Sequence, residues 1–203
     1  MPQQLRSIER VERILDAAGA LVHSAGIDAV TTRAVAEGAG VPVASLYQYF
    51  ADRDEILLAL VERDVGEMDS QVAADLAGLP VLSIATVVEA TMRAFVKVYH
   101  RRQAFVVLWL RGRTNTAIQD FCRAHNKRIA ADLFTFARET GLLDDEATVL
   151  NAELAVEVGD RVFQLAFERD LHGDEAILVE GVHLVRGYLE RHASAAGLEG
   201  VPA

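Results

Sequence analysis

The chain has 203 residues, of which 51% are hydrophobic and only four are prolines, and its formal net charge at pH 7 is −10. This length can bury a substantial core in one domain or two small ones, and so few prolines permit long helices. The single cysteine, Cys122, excludes an intrachain disulfide. With no signal-peptide pattern and no apolar stretch of about 18 residues, we expect a cytoplasmic protein without a membrane segment.

The first predicted helix covers residues 7–25, in which apolar residues recur with helical spacing. A second helix begins at Thr31 or Thr32, because a hydroxyl there accepts a backbone N–H that has no partner in the first turn. Gly40 ends it, since glycine adopts the left-handed conformation of a helix end without steric cost. The spacing therefore predicts two short helices joined by a tight turn.

The third predicted helix, residues 43–50, follows Pro42 and is rich in aromatic and hydroxyl side chains. Leu46 and Phe50 lie four residues apart and can anchor it to a core, which leaves its polar groups facing elsewhere. A short helix with two apolar anchors and exposed hydroxyl and amide groups suits a DNA major groove.

Family resemblance is carried by a dense, ordered series of residues in this part of the chain. They are Ile14-Leu15-Asp16-Ala17-Ala18, Leu21, Gly26, Thr31, Val35-Ala36, Ala39-Gly40-Val41, Leu46-Tyr47-Gln48-Tyr49-Phe50 and Asp52-Arg53-Asp54-Glu55. The series resembles the DNA-binding domain of the tetracycline-repressor (TetR) family of bacterial transcription regulators. It covers about the first quarter of the chain and implies a three-helix helix-turn-helix domain. Val43 departs from the pattern, because the family often has lysine or another polar residue there.

The resemblance implies that the third helix reads operator DNA. Gln48 can pair bidentately with adenine, and Ala44 can meet a thymine methyl group. Arg33, Tyr49 and Arg53 are expected to bind phosphates. The predicted DNA-binding residues are Thr31, Thr32, Arg33, Val43, Ala44, Ser45, Tyr47, Gln48, Tyr49 and Arg53.

The remaining chain is predicted to be helical, which gives an all-α fold of about nine helices. A long helix starts at Asp52, and Gly78-Leu79-Pro80 is the clearest break. Further helices are predicted after Ser83, from Phe105 to Leu110, from about Thr114 to Gly141, from Asp144 or Asp145 to about Asp170, and after Gly173 to about His192. The tail, 193–203, is predicted to be mobile. We divide the chain into a DNA-binding domain, 1–51, and a larger helical domain for effector binding and dimerisation, 52–203.

The last two predicted helices carry more apolar residues than one buried face requires. A helix with two apolar stripes needs two partners, which are either its own domain and a second subunit or neighbours on all sides. The resemblance implies the first arrangement, a homodimer with a four-helix bundle and two heads for a palindromic operator. The predicted interface residues are Leu154, Val158, Val162, Leu184, Val185 and Tyr188.

The middle of the chain is strongly basic. Residues 90–130 carry nine basic side chains and one acidic one, whereas residues 132–180 carry thirteen acidic and three basic ones. Either the two segments neutralise each other, or some of the cations meet an anionic effector. Interleaved aromatic residues can line a ligand cavity or simply form core.

The resemblance implies an effector site between the fourth and eighth helices, without a motif that is shared across the family. The candidate effector-binding residues are Phe95, Tyr99, His100, Phe105, Trp109, Arg113, Asn115 and Phe121. We expect a mostly apolar ligand with one polar or anionic end. In the competing interpretation Arg111 and Arg113 pair with Glu153 or Glu157, and the ligand is neutral or cationic.

Enzymatic motifs are missing from the sequence. The six histidines show no HExxH spacing, and there is neither a Gly-rich phosphate loop nor a G-x-S-x-G elbow. We expect no catalytic residues, cofactor or metal, and predict a ligand-responsive repressor that binds double-stranded DNA. Two alternatives stay open: a small-molecule-binding module without DNA binding, and a helical enzyme that uses His100 or His125 with a carboxylate.

Overall fold

The computed structural model describes residues 2–111 and 116–202. Its α-helices are α1 (Pro2–Ala25), α2 (Thr32–Gly38), α3 (Val43–Leu46), α4 (Arg53–Ala77), α5 (Ile84–Arg101), α6 (Gln103–Val106), α7 (Thr116–Glu139), α8 (Val149–Ala166), α9 (Glu175–Leu189) and α10 (Ala195–Glu199). A π-helical turn, Val107–Arg111, follows α6, and two-residue strands β1 (Val81–Leu82) and β2 (Val201–Pro202) pair with each other. The predicted all-α fold is confirmed, with α10 beyond the nine expected helices. None of the helices in the described ranges is long and apolar enough to cross a membrane.

Two compact units make up the chain, and the first consists of Met1–Gly66 and Arg102–Gln119. Its core contains fully buried aliphatic side chains from three helices, such as Ile14 on α1, Val35 on α2 and Leu60 on α4. Phe105 and Leu108 are also buried, and a Cβ atom built on Gly19 would lie 3.8 Å from the Cβ of Ala104. The segment after α5 therefore belongs to the same core as the helix-turn-helix.

The second unit consists of Glu67–Arg101 and Asp120–Ala203. Within it α8 and α9 form an antiparallel pair that approaches closely at Gly181. A Cβ atom on Gly181 would lie 2.2 Å from the Cγ1 of Val162, so only glycine fits at this crossing. The predicted division at residue 51 cuts the chain once. The two observed units instead divide α4 between them, and the first unit also contains the later segment Arg102–Gln119.

The start of α8 differs from its prediction. Asp144 does not cap this helix; its carboxylate accepts hydrogen bonds from the backbone N–H groups of Glu146 and Ala147, at 3.0 and 2.8 Å, and closes a preceding turn. The cap is Thr148, whose N–H donates to the side-chain oxygen of Asn151 at 2.8 Å. The helix ends at Ala166, four residues before the predicted end.

The prediction of a mobile tail is wrong for the residues that the structure describes. Ser194 caps α10 by accepting a hydrogen bond from the N–H of Gly197 at 3.0 Å. Beyond α10, Val201 pairs with Leu82 in the β1–β2 ladder. The local composition predicted disorder here. The segment is ordered instead, because it has a helix cap and pairs with a strand that is distant in the sequence.

Candidate functional site

The helix-turn-helix is stabilised by the cap, turn and anchor residues that the sequence predicted. The hydroxyl of Thr31 accepts a hydrogen bond from the N–H of Ala34 at 3.1 Å, and Gly40 has a φ of 63° in the turn that follows. Leu46 and Phe50 are 0% and 6% exposed, as anchors must be. The recognition helix is shorter than predicted: it ends at Leu46 and continues as a turn, in which the N–H of Tyr49 donates to the carbonyl of Leu46 at 2.9 Å.

An exposed surface lies opposite these anchors. Val43 and Tyr47 are 38% and 53% exposed, and Ala44 and Gln48 are exposed as well. The hydroxyl groups of Tyr47 and Thr32 lie 3.1 Å apart, so the structure brings the start of α2 and the end of α3 together. The paired hydroxyls, the aliphatic side chains and the amide form one face for a DNA partner to meet. We name the exposed residues Val43, Ala44, Tyr47 and Gln48 the recognition surface.

Two of the predicted phosphate-binding residues are tied into the first unit. The Nη2 atom of Arg53 donates to the carbonyl oxygen of Ile27 at 2.9 Å, which joins the start of α4 to the turn before α2. The hydroxyl of Ser7 donates to the hydroxyl of Tyr49 at 3.4 Å, a long contact between α1 and the end of the recognition turn. Arg33 is exposed, and Ser45 is half-buried. Arg53 and Tyr49 thus position the helices, and their contact with phosphates stays a prediction.

The predicted effector residues are divided between the two units. Phe105 and Trp109 lie in the first unit, are buried, and have ring centroids 5.2 Å apart. They form core beside the helix-turn-helix, which sequence order alone did not indicate. Arg113 and Asn115 lie outside the described residues.

The other predicted effector residues belong to the second unit: Phe95, Tyr99, His100 and Phe121. The ring of Tyr99 lies in an aromatic cluster, with centroid distances of 6.4 Å to Phe95, 5.4 Å to Phe163 and 5.2 Å to Phe167. Burial raises the pKa of the Tyr99 phenol well above its ordinary value, so the ring remains neutral. Such edge-to-face packing is what an aromatic core requires, which was the simpler of the two interpretations. Phe121 is half-buried.

Several cations of the basic segment pair with acidic residues on α4. Within the second unit, Arg101 binds Glu67 at 2.9 Å, Lys97 binds Asp75 at 2.8 Å, and Arg128 binds Asp69 at 2.6 Å. In the first unit, Arg102 lies 3.8 Å from the buried carboxylate of Asp64, which Arg63 also binds at 3.0 Å. Neutralisation between helices is therefore substantial for these cations. Glu157 accepts a hydrogen bond from Asn126 at 3.3 Å, and the pairing of Arg111 and Arg113 with Glu153 or Glu157 stays a prediction, since Arg113 lies outside the described residues.

The two histidines of the enzymatic alternative occupy different settings. His125 is 3% exposed, its Nδ1 lies 2.9 Å from Arg128, and its Nε2 lies 3.6 Å from the carboxylate of Asp69. Burial and the neighbouring guanidinium lower the pKa of His125 to about 4, so it stays neutral and inaccessible at pH 7. His100 is exposed, and its Nε2 lies 2.8 Å from the carbonyl oxygen of His172. No group of metal-ligating side chains occurs in the described ranges.

A cleft between α5 and α9 was missed by sequence reasoning. It has a volume of about 480 Å³, and its floor is formed by Met92, Phe163 and Leu178. None of the predicted effector residues lines it. A signal was present, because apolar and basic residues alternate along one side of α5, but the partner helix could not be known in advance.

The outer face of α8 and α9 carries a row of exposed aliphatic side chains. Their exposed fractions are 56% for Leu150, 46% for Leu154, 39% for Val158, 42% for Leu165 and 56% for Leu184. We name this row the α8–α9 face. A row of this kind on a monomer marks an interaction surface.

Three of the predicted interface residues make contacts within the protomer. Val185 is 6% exposed, and Val162 packs against Gly181. The hydroxyl of Tyr188 lies 3.1 Å from the side-chain nitrogen of Asn151, which donates to it. Burial places Val185 on the inner edge of the helical stripe, which the sequence could not show without the packing of α8 on α9. A role of the half-buried Val162 and Tyr188 in a dimer interface stays a prediction.

Comparison with known proteins decides the family. The profile of bacterial regulatory proteins of the tetR family matches residues 14–60, and that of a tetracyclin repressor-like C-terminal domain matches residues 82–193. The chain belongs to the TetR family. This confirms the resemblance and extends it from the helix-turn-helix to more than half of the chain.

Curated relatives of this TetR-family chain match it over a short stretch. The HTH-type transcriptional repressor KstR of Rhodococcus jostii is 44% identical over 63 residues, and KstR of Mycobacterium tuberculosis is 40% identical over 63 residues. These stretches are 31% of this chain in both cases, and 30% and 29% of the relatives. The chain thus aligns with less than a third of each KstR protein.

Solved structures match almost the whole chain. A TetR-family transcriptional regulator from Streptomyces coelicolor is 28% identical, with a TM-score of 0.71 over 90% of this chain and 99% of its own. The regulator FadR of Bacillus subtilis, solved in complex with stearoyl-CoA, has a TM-score of 0.70 over 87% of this chain and 98% of its own. At 15% identity the FadR match shows the fold alone.

Proposed function

We propose that this TetR-family protein is a homodimeric transcriptional repressor that binds a palindromic operator and is released by a small molecule. The observation that carries the proposal is the recognition surface, in which Val43 and Ala44 on α3 and Tyr47 and Gln48 in the turn after it are exposed, while Leu46 is buried as their anchor. That arrangement fits a major groove, where amide groups read base edges and aliphatic groups read thymine methyls. The similarity to KstR repressors over 63 residues supports repression. We place this activity in the cytoplasm, where the chromosome lies.

Dimerisation is proposed to occur through the α8–α9 face. Leu154, Val158 and Leu184 of one protomer would pack against a second copy. A two-fold axis makes such an interface self-complementary and presents two recognition helices to two half-sites. A single recognition helix of four residues offers few base contacts, so two heads are needed for specific binding.

Release by a ligand is proposed to use the two chain segments that cross from one unit to the other. α4 begins in the first unit and ends in the second. The chain passes back to the first unit at Arg102 and enters the second unit again at Asp120. A ligand that binds the second unit more tightly in one conformation shifts the population of that conformation. A coupling of about 1–3 kcal/mol is typical, which is about 5- to 150-fold in operator affinity. FadR of Bacillus subtilis was solved with stearoyl-CoA, so amphipathic acyl compounds are one class to screen.

The test is operator binding by purified protein. DNA duplexes of random sequence, together with DNA from upstream of the protein's own gene, are selected for binding to the protein. The affinity of the selected sequence is then measured by fluorescence anisotropy. Gln48→Ala should lose discrimination at one base pair per half-site, at a cost of about 1–3 kcal/mol, and keep it at the others. The retained positions serve as the internal control. Failure of the wild type to select any sequence would contradict the proposed function.

A further inference from the structure

The cleft between α5 and α9 has the dimensions of a ligand site. Its volume of about 480 Å³ lies within the range of about 300–1,000 Å³ that is usual for small-molecule pockets. The floor side chains Met92, Phe163 and Leu178 are 6%, 2% and 8% exposed, so the floor is apolar and well packed. All of its lining residues belong to the second unit. We name this cleft the α5–α9 groove.

The walls of the α5–α9 groove are more basic than acidic. On α5, Glu89, Arg93 and Lys97 recur every four residues and share one side of the helix. On α9, Arg186 stands on the opposite wall with His183 and Glu175. Three permanent cations and one histidine thus line the groove with two carboxylates, and Lys97 is bound at 2.8 Å by Asp75, which lies outside the lining.

The two arginines of the walls are held only by weak pairs. Arg93 binds Glu89 at 2.7 Å and Arg186 binds Glu190 at 2.6 Å, each partner being four residues away in sequence. The two arginine side chains are 72% and 47% exposed, so solvent screens both pairs and they stabilise little. A ligand carboxylate can replace such a partner and gain two parallel N–H···O bonds from the guanidinium fork.

We propose that the α5–α9 groove binds an amphipathic anion, with its aliphatic chain on Met92, Phe163 and Leu178 and its carboxylate on Arg93 or Arg186. The apolar floor excludes a purely ionic ligand, and the two exposed guanidinium forks on the walls favour an acid over an amine. The inference deepens the effector part of the proposed function, because it names a site and a ligand class. It can fail while operator binding holds.

The test uses methionine methyl groups as reporters in the full-length protein. The sequence has three methionines, of which Met92 forms the floor of the groove and Met68 is fully buried on α4. With ¹³C-methyl-labelled methionine, signals are assigned through Met68→Leu and Met92→Leu variants. Decanoate, decylammonium and decanol are then titrated below their micelle-forming concentrations. Decanoate should shift the Met92 signal saturably, bind more tightly than the other two compounds, and leave the Met68 signal in place.

Matched variants check the head group. The double variant Arg93→Gln, Arg186→Gln should weaken decanoate binding about tenfold and leave decanol binding unchanged, whereas Arg191→Gln, an exposed arginine outside the groove, should change neither. The proposal is overturned if the Met92 signal ignores decanoate, if decylammonium binds more tightly, or if the double variant binds decanoate like the wild type. A Met92 signal that changes with protein dilution but not with decanoate would show that a second copy fills the groove, which also overturns it. Operator release is measured separately, so neither result depends on the other.

Discussion

The recognition surface and the α8–α9 face both expose apolar side chains, but they differ in what accompanies them. Val43 and Ala44 lie beside the hydroxyl pair of Tyr47 and Thr32 and the amide of Gln48. The α8–α9 face is instead a long row of aliphatic groups spaced at whole helical turns. A small apolar patch among polar groups suits a hydrated DNA groove, whereas a long aliphatic row is stable only against another apolar surface. The difference supports the proposal that one surface meets DNA and the other a second protein chain.

The largest expected effect comes from a charge on the α8–α9 face. Leu184→Glu should raise the dimer dissociation constant by about 1,000-fold or more, since each subunit would bury an unpaired carboxylate. Sedimentation velocity at micromolar concentration measures it, and operator affinity should fall with dimerisation. Leu198→Glu is the matched control, because that leucine is 55% exposed on α10 and is not part of the α8–α9 face. Wild-type protein that sediments as a monomer would contradict the proposed role of the α8–α9 face in dimerisation.

How far the sequence could predict these two surfaces follows from where their signals lie. The cap Thr31, the turn glycine Gly40 and the anchors Leu46 and Phe50 act within a few residues, so the helix-turn-helix was readable in detail. The α8–α9 stripe was also readable as a helical period. Its inner edge was not, because burial of Val185 depends on how closely Gly181 lets the two helices approach.

Long-range contacts explain the remaining differences. Phe105 and Trp109 were predicted to bind the effector because they are interleaved with the basic residues of the middle segment, but they lie in the core of the first unit. The partners of Arg101 and Lys97 lie on α4, 34 and 22 residues earlier in the chain. Periodicity shows that a side chain is buried or exposed, and it carries no information about which helix it meets.

Two arginines of the first unit, Arg53 and Arg33, are expected to have different roles, one in stability and one in DNA binding. Arg53→Ala should lower stability by about 1–2 kcal/mol, because the carbonyl oxygen of Ile27 loses a charged donor at 2.9 Å. Arg33→Ala should leave stability within about 0.5 kcal/mol, since Arg33 is exposed. It should weaken all operator sequences alike and reduce the slope of log affinity against log salt by about one. Urea unfolding and anisotropy titrations at several salt concentrations separate the two roles. Equal stability losses in both variants would contradict this division.

The smallest expected effect tests the aliphatic part of the recognition surface. Val43 and Ala44 have no side-chain hydrogen-bonding group, so the feature of a base pair that they can read in the major groove is the thymine methyl. Replacing a contacted thymine by uracil removes that methyl and keeps every hydrogen bond of the base pair.

Burial of one such group contributes about 0.8 kcal/mol, so uracil at a contacted position should weaken binding about fourfold. The selected operator is synthesised with uracil at each thymine in turn, and the affinities of the wild type and of a Val43→Ser variant are compared. The penalty should occur at one or two positions per half-site and shrink in Val43→Ser, whereas thymines outside the contact should show none. A penalty that is the same in both proteins would mean that the methyl acts through DNA shape rather than through Val43. In that case the exposed valine would have no part in sequence readout, and specificity would depend on Gln48 and Tyr47.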